Sequence, residues 1–458
     1  MTRSAKVTFL PEGTVFTAQV GETLARVCFR AGRDLQTRCG GVGKCGKCAV
    51  KTDRGAVLAC QTKITGDITC EVPIKKEEIT LRRYAPTPTS YGAAVDLGTT
   101  TIVCRIIDLT DGSTAAEASC LNPQTRFAAD VIGRIGYADS FGTADMRALA
   151  VNSLRNLLKA AEAESPERCV IVGNTCMTQI IAGLPVSGLG QVPHEPAFFD
   201  KIIDTRIVPD CETLIMPPIA GFVGSDTSSL LTVTAEEDGK TRLIIDIGTN
   251  AEVALAKGDE IYVCSSAAGP AFEGAEISAG MRAAAGAVYN VKITDGKPEV
   301  KTIDGAAAAG ICGSGMISAL RAMARAEIIS PSGRLPEPYE LAKDVFITPT
   351  DVRKLQLAKA AVRAAAETLI RTTGKRPEEI LLAGAFGSSI NPEDAKAIGL
   401  IPDLPAKSVG NGAGDGAALM VYDSRQIQRA LDISKRADHI ELAASPDYTD
   451  LLTEYMFF

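Results

Sequence analysis

The chain has 458 residues, 46% hydrophobic and 22% charged, with a net charge of −7 and two histidines. That length exceeds one ordinary core and predicts roughly two to four domains, while the acidic balance argues against a general nucleic-acid binder, which needs a basic patch. No apolar run reaches the roughly 18 residues of a membrane helix, the start MTRSAKVTFL lacks the apolar core of a secretory signal, and thirteen cysteines, an odd number, fit a reducing cytoplasm better than a disulfide framework. With only His194 and His439 present, a haem ligand, a His-based zinc site or a His-dependent nucleophile is not expected.

Residues 6–10 and 14–18 read as strands around Pro11-Glu12-Gly13, and Glu22 to Ala31 as a helix turning Leu24, Val27, Cys28 and Ala31 inward. Next comes CGGVGKCGKCAVKTDRGAVLAC, in which Cys39, Cys45, Cys48 and Cys60 are spaced C-x5-C-x2-C-x11-C with Gly40, Gly41, Gly43 and Gly46 between them. Four thiolates on a glycine-rich backbone able to wrap a cluster and aim N–H groups at its sulfides point to [2Fe–2S]. The alternatives are a structural zinc site, which usually brings paired C-x2-C knuckles or His ligands, and a disulfide pair. Strands at Cys48–Lys51 and Asp67–Val72 complete a β-β-α-loop-β-β order that resembles a β-grasp ferredoxin. The first cysteine gap is one residue longer than the plant-type pattern, as in the adrenodoxin-like branch. Cys28 and Cys70 lie outside the ligand pattern and read as small core residues.

Residues 75–91 shift in composition, from charge to Pro-Thr-Pro-Thr-Ser, and read as a linker, either a mobile tether or a passive connector. Beyond it an internal repeat opens: strand, DLGTT at Asp96–Thr100, strand; and again strand, DIGTN at Asp246–Asn250, strand. Glycine permits a tight turn whose N–H groups face a phosphate, Thr and Asn add donors, and an Asp at the strand end suits Mg²⁺. These stretches resemble the two phosphate motifs of the actin/hexokinase/Hsp70-type ATPases, and the strand and Gly-rich turn from Glu379 to Ser389 resembles their adenosine motif. The resemblance implies a two-lobed, ribonuclease H-like α/β fold behind a small α+β ferredoxin domain: residues 1–74 ferredoxin, 75–91 linker, 92–235 lobe I, 236–458 lobe II. Helix starts at Gly221–Asp226 and Gly410–Ala418 fit paired helices whose glycines allow close crossing, which ATP closing a cleft would bend.

Between the motifs, Asp145–Glu164 and Val352–Thr372 have the periodicity of amphipathic helices, and Arg168–Val172 reads as a strand ending in Gly173-Asn174-Thr175. Arg126 and Arg134 read as surface residues, with phosphate contact the alternative; Glu273 is a candidate supporting carboxylate, and His194 a loop residue. The segments 264–274 and 310–315 are rich enough in Gly and Ala for either ligand approach or close helix–sheet packing.

The stretches NPQTRFAADVIGRI, IVGNTCM, PPIAGFVGSD, SAAGPAFEG, GMRA, GICGSGMI and DVRKLQLAKAA resemble, over essentially the whole chain, the reductive activators of corrinoid proteins. Two departures, a bare linker where longer members carry an extra domain and a short path to the last cysteine, bear on which corrinoid protein is served. The resemblance implies ATP-dependent return of inert Co(II) to Co(I), with a corrinoid (cobalamin-binding) protein and a low-potential electron donor as partners, and a homodimer as an option. It also implies [2Fe–2S] on Cys39, Cys45, Cys48 and Cys60; Mg²⁺ and attacking water organised by Asp96 and Asp246; phosphates on Gly98, Thr99, Thr100, Thr101, Gly248, Thr249 and Asn250; and adenosine on Gly384, Ala385, Phe386 and Gly387. Plant-type centres sit near about −400 mV, and an uphill gap of about 100–200 mV costs roughly 2–5 kcal/mol, which ATP can cover. A dehydratase activator shares one cluster between subunits and lacks a ferredoxin domain. A small-molecule kinase has no reason to carry a cluster, and a non-enzymatic electron carrier has none to keep both Asp-x-Gly-Thr turns.

Overall fold

The computed structural model describes residues 3–33, 35–37, 39–74, 78–236, 238–274, 277–387 and 389–458, with Ala385 by its backbone only. The chain forms two units, residues 1–228 with 417–431 and residues 229–416 with 432–458.

In the first unit, β1 (Ser4–Leu10) and β2 (Thr14–Gln19) pair as a hairpin, followed by α1 (Leu24–Arg30), β3 (Ala49–Thr52), β4 (Gly55–Leu58) and β5 (Ile68–Glu71). The sheet order is β2-β1-β5-β3-β4. Alternation along β1 buries Ala5, Val7 and Phe9 on the face that meets Leu24, Val27 and Cys28 of α1. Thr23 caps α1 by accepting from the Arg26 N–H. The β-grasp expectation holds; β4 is an addition, since GAVL is too short to carry a strand signal of its own.

The same unit continues through β6 (Ile79–Arg83), β7 (Tyr91–Leu97), β8 (Thr101–Asp108), β9 (Thr114–Leu121), α2 (Val131–Phe141), α3 (Ala144–Ala160), β10 (Arg168–Gly173), α4 (Thr175–Ala182), β11 (Ile202–Ile203) and β12 (Glu212–Ile215). They build a seven-stranded sheet, β11-β12-β10-β7-β8-β9-β6. β6 lies in the segment read as linker: Ile79 to Arg83 pair antiparallel with Cys120 to Ala116. Residues 75–77 of that segment lie outside the described residues.

In the second unit, β13 (Arg242–Ile247), β14 (Ala251–Lys257) and β15 (Glu260–Ser266) form an antiparallel meander. They are followed by β16 (Ala287–Thr294), β17 (Lys297–Thr302) and β18 (Gly310–Ile311) as a small sheet, α6 (Gly313–Arg325), the hairpin β19 (Tyr339–Ala342) and β20 (Val345–Ile347), and α7 (Pro349–Thr373). After β21 (Glu379–Ala383) come the short α8 (Gly384–Gly387), α9 (Pro392–Ala397) and β22 (Ala406–Gly410). The main sheet runs β22-β21-β13-β14-β15-β23, closed by β23 (Asp438–His439), and α12 (Tyr448–Glu454) follows. The repeat seen in the motifs is therefore topological. β7-β8-β9 with β10 parallel to β7 matches β13-β14-β15 with β21 parallel to β13.

The division into units falls inside α5 (Ser225–Thr234), α10 (Gly412–Tyr422) and α11 (Arg425–Arg436). Residues 417–431 join the first unit, where Met420, Val421, Ala430 and Leu431 bury against Ala94, Val170 and Val172. These residues fall within the stretch expected as lobe II, 236–458, and their apolar face packs in the core of the first unit. In the second unit Ser229 Oγ donates to the Ala413 carbonyl at 2.7 Å, and a Cβ on Gly416 would collide with the Ser229 carbonyl. That is the close helix crossing expected of these glycines.

Candidate functional site

The cysteine loop places its four thiols in two pairs. Cys48 Sγ and Cys60 Sγ stand 3.2 Å apart, both buried. Burial pushes the Cys48 thiol up to about 11, and the neighbouring Cys60 thiol adds to the rise. Burial also raises Cys39, but hydrogen bonds from the Cys45 backbone and thiol and from the Lys44 and Gly41 backbones outweigh it and bring Cys39 down to about 6. Gly40, Gly41, Gly43 and Gly46 all have φ between 66° and 86°, so the loop curls tightly, and the Gly41, Lys44 and Cys45 N–H groups meet Cys39. Gln61 Nε2 ties it shut, donating to the Gly41 carbonyl at 2.6 Å and lying 3.6 Å from Cys60 Sγ. Among the described residues no three His, Cys, Asp or Glu side chains gather around a single ion position. Two thiol pairs fit a binuclear cluster, each iron taking two thiolates. Cys28 and Cys70 are buried free thiols that share a hydrogen bond.

The ferredoxin module packs on the sheet module within the first unit. The Thr37 N–H donates to the Arg126 carbonyl at 2.7 Å, and Thr37 Oγ1 to the carbonyls of Arg126 and Phe127 at 2.9 and 2.8 Å. Cys39 makes an isolated antiparallel bridge with Ala128. A Cβ on Gly40 would stand 3.2 Å from the Gly133 carbonyl. Phe29 meets Phe127 edge-on at 4.5 Å, and Arg26 Nε donates to Asp145 at 2.7 Å.

The first Gly-Thr turn follows directly from β7. Asp96, half-buried, ends the strand between Val103 and Val172. The Gly98 N–H donates to the Thr101 carbonyl at 3.0 Å, closing the turn. Asn122 Nδ2 donates to the Gly98 carbonyl and the Asn122 N–H to that of Thr100, both at 2.8 Å. Asn174 Nδ2 donates to Thr99 Oγ1 at 2.8 Å, and Arg134 to the Thr99 carbonyl at 2.6 Å. Arg134, expected at the surface, is fully buried. Burial lowers its pKa to about 10, still well above neutrality, and three carbonyl-type oxygens receive its fork. Asn122 has no role in the sequence reading and Arg134 reads as a surface residue, because the turn carbonyls that each one grips are backbone atoms. The Asn-Pro pair starting a short 3-10 turn at Pro123–Arg126 was the one signal available for Asn122.

The second turn follows β13. Asp246, half-buried, ends the strand opposite Glu252 and Ala383, and the Gly248 N–H donates to the Asn250 carbonyl at 2.9 Å. Thr249 Oγ1 donates to Glu273 Oε1 at 2.7 Å, the supporting role anticipated for that carboxylate. Gly384, at φ 85°, lies so near Asp246 that a Cβ would collide with its Oδ1, which joins the turn after β21 to the turn after β13. Phe386 is buried and stacks on Phe272 with ring centroids 4.9 Å apart. Gly313 gives way to that ring, and Gly310 and Gly315 meet backbone carbonyls, so the 310–315 stretch serves close packing. Gly387 closes the turn, and Ser388 lies outside the described residues. His194 is a loop residue at φ 63° whose ring bonds the Leu189 carbonyl.

A β-grasp ferredoxin joined to two Asp-x-Gly-Thr halves defines an iron–sulfur protein with an actin/hexokinase-like ATPase fold. Family models agree in chain order: a 2Fe-2S iron-sulfur cluster binding domain matches residues 7–79, the RACo middle region 91–236, and the C-terminal ASKHA domain of RACo 240–458. The corrinoid activation enzyme RamQ of Eubacterium limosum is 34% identical over 410 residues, covering 79% of this chain and 69% of that one. The reductase of the Co(II) methylated amine-specific corrinoid protein of Methanosarcina barkeri is 27% identical over 408 residues, covering 79% and 75%. A solved reductive activator for a corrinoid, iron-sulfur protein superposes with a TM-score of 0.74 at 25% identity, covering 99% of this chain and 98% of that one. The chain belongs to the family of corrinoid activation enzymes.

Proposed function

We propose that this protein reactivates a corrinoid protein at the expense of ATP, returning cobalt from Co(II) to Co(I) for methyl transfer. The observation that carries the reading is one unit in which the cysteine loop and the first phosphate turn are bonded to the same short segment, residues 122–128. Relatives named for corrinoid activation and Co(II) reduction support it.

Cys39, Cys45, Cys48 and Cys60 are the residues for a [2Fe–2S] cluster, which when bound supplies the single electron. The Gly41, Lys44 and Cys45 N–H groups and Gln61 stabilise the charge on those thiolates. Gly98, Thr99, Thr100 and Thr101, with Gly248, Thr249 and Asn250, hold phosphates through backbone N–H and hydroxyl donors. Asp96 and Asp246 are the carboxylates that would hold Mg²⁺ beside the phosphates, and the ion would supply charge neutralisation there. Gly384, Ala385, Phe386 and Gly387 form the adenosine turn. A low-potential donor reloads the protein, and thirteen cysteines with no disulfide among them fit a cytoplasmic setting.

The test is anaerobic: cluster-loaded protein, Ti(III) as donor and a Co(II) corrinoid protein, followed at the Co(I) absorption band with and without Mg-ATP. Co(I) that accumulates only with ATP is the expected result. ATP hydrolysis without any ATP effect on cobalt would overturn the reading.

A further inference from the structure

Arg134 reaches three elements at once. One terminal nitrogen donates to the Thr99 carbonyl inside the first phosphate turn, at 2.6 Å. The other donates to Gln124 Oε1 at 3.2 Å and touches Met177 Sδ at 2.8 Å. Nε donates to the Ala128 carbonyl at 3.2 Å, and Ala128 is the residue bridged to Cys39. The segment it spans is bonded at both ends. Asn122 grips the Gly98 and Thr100 carbonyls, and the Arg126 and Phe127 carbonyls grip Thr37, two residues before Cys39. Gly133 abuts both sides: a Cβ there would stand 2.6 Å from the Ala128 Cβ, while its carbonyl faces Gly40.

A buried guanidinium holding several oxygens is costly to leave half-satisfied, so a shift of one oxygen draws the others with it. Phosphates held by the turn would pull on the N–H and carbonyl groups of Gly98–Thr101, and the Thr99 carbonyl is fixed to Arg134 rather than to solvent.

We propose that Arg134 is the positioning residue through which nucleotide in the first phosphate turn changes the setting of the Cys39 end of the cysteine loop. This rests on the assignment of that turn to phosphate. All the contacts lie within the first unit and need no movement of one unit against the other.

The test is hydrogen exchange by mass spectrometry on the cluster-loaded protein, with and without the non-hydrolysable analogue Mg-AMP-PNP, alongside calorimetric nucleotide binding and visible circular dichroism of the cluster. In the wild type, peptides over 96–103 and over 36–48 both change exchange rate, the second by about fivefold or more, the low end of ordinary coupling between sites. Arg134→Lys keeps the charge but loses the fork. Thr37→Val removes the hydroxyl bonds at the far end without touching the turn. Both variants bind nucleotide and keep the response at 96–103, but lose the response at 36–48 and the nucleotide-induced change in dichroism. A wild-type loop that ignores nucleotide while 96–103 responds overturns the proposal, as does a loop response that survives in either variant. If Arg134→Lys does not fold, Thr37→Val decides alone. Nucleotide that binds without altering 96–103 removes the phosphate assignment itself, and the proposal with it.

Discussion

The two Gly-Thr turns share a motif and a topology but not their supports. The first runs four residues between Leu97 and Ile102 and is held by neutral and cationic donors, Asn122, Asn174 and Arg134, acting on its carbonyls and on Thr99. The second runs three residues between Ile247 and Ala251, and its Thr249 hydroxyl is taken by an acidic acceptor, Glu273. Gly384 lies against its aspartate. A hairpin of this kind presents N–H groups to a ligand whatever lies behind it. What lies behind differs: the segment bonded to the cysteine loop in the first unit, Gly384 and its turn in the second.

The largest effect should leave the two halves equal. Under the proposed assignment Asp96→Asn and Asp246→Asn each remove a carboxylate from the ATP site, and ATP turnover should fall about 10²–10³-fold in both. A phosphate-release assay that found one variant near wild type would make the repeat unequal in chemistry as well as in support. The next effect should separate them. Asn122→Ala strands the half-buried Gly98 carbonyl and should cost about 1–3 kcal/mol, read as a lower denaturant midpoint. Glu273→Gln keeps an acceptor for Thr249 but not the charge; its midpoint should stay within about 0.5 kcal/mol of wild type, while turnover drops about tenfold. Gly384→Ala places a Cβ into Asp246 at a positive φ and should cost about 1–3 kcal/mol and weaken nucleotide binding by calorimetry, with no change in the cluster spectrum.

The smallest effect is in pH. In the first unit Asp204, nearly buried, accepts from Arg206 and Arg147, which hold its carboxyl down to about 2. That stabilisation is complete above the ordinary carboxylate range and should be lost as pH falls from about 4 towards 2, by about 1 kcal/mol after screening. In the second unit burial brings Lys359 down to about 8, although the Tyr455 and Phe457 carbonyls accept from it at 2.6 Å. The unfolded chain then binds more protons between about pH 8 and 10.5, so stability should rise with pH there. Thermal melts of Asp204→Asn and Lys359→Met across both windows check each sign.

Much of this was legible in the sequence, and the losses have a common cause. The cysteine spacing, both Asp-x-Gly-Thr turns and the helix Pro349–Thr373 are local patterns, and local patterns survive in a linear text. The strand at Ile79–Arg83 was read as linker because ITLRR is mostly exposed and acquires its identity from pairing with residues 116–120. The return of 417–431 to the first unit depends on which core has room for Met420 and Val421. Arg134 reads as a solvated charge because its partners are carbonyls of residues 99 and 128, which no side-chain pattern announces. Charge buried against backbone is the hardest feature to read from residue types alone.

The strand at Ile79–Arg83 also sets a leash. The ferredoxin fold ends with Ile74 bridged to Arg33, and Ile79 is already paired to Cys120 on the neighbouring sheet. Five residues of chain at full stretch span at most about 18 Å. Should the Thr37 and Cys39 contacts release, the end of the ferredoxin fold would still stay within that distance of the edge of the sheet, and any wider travel of the module would have to come from pivoting about that point.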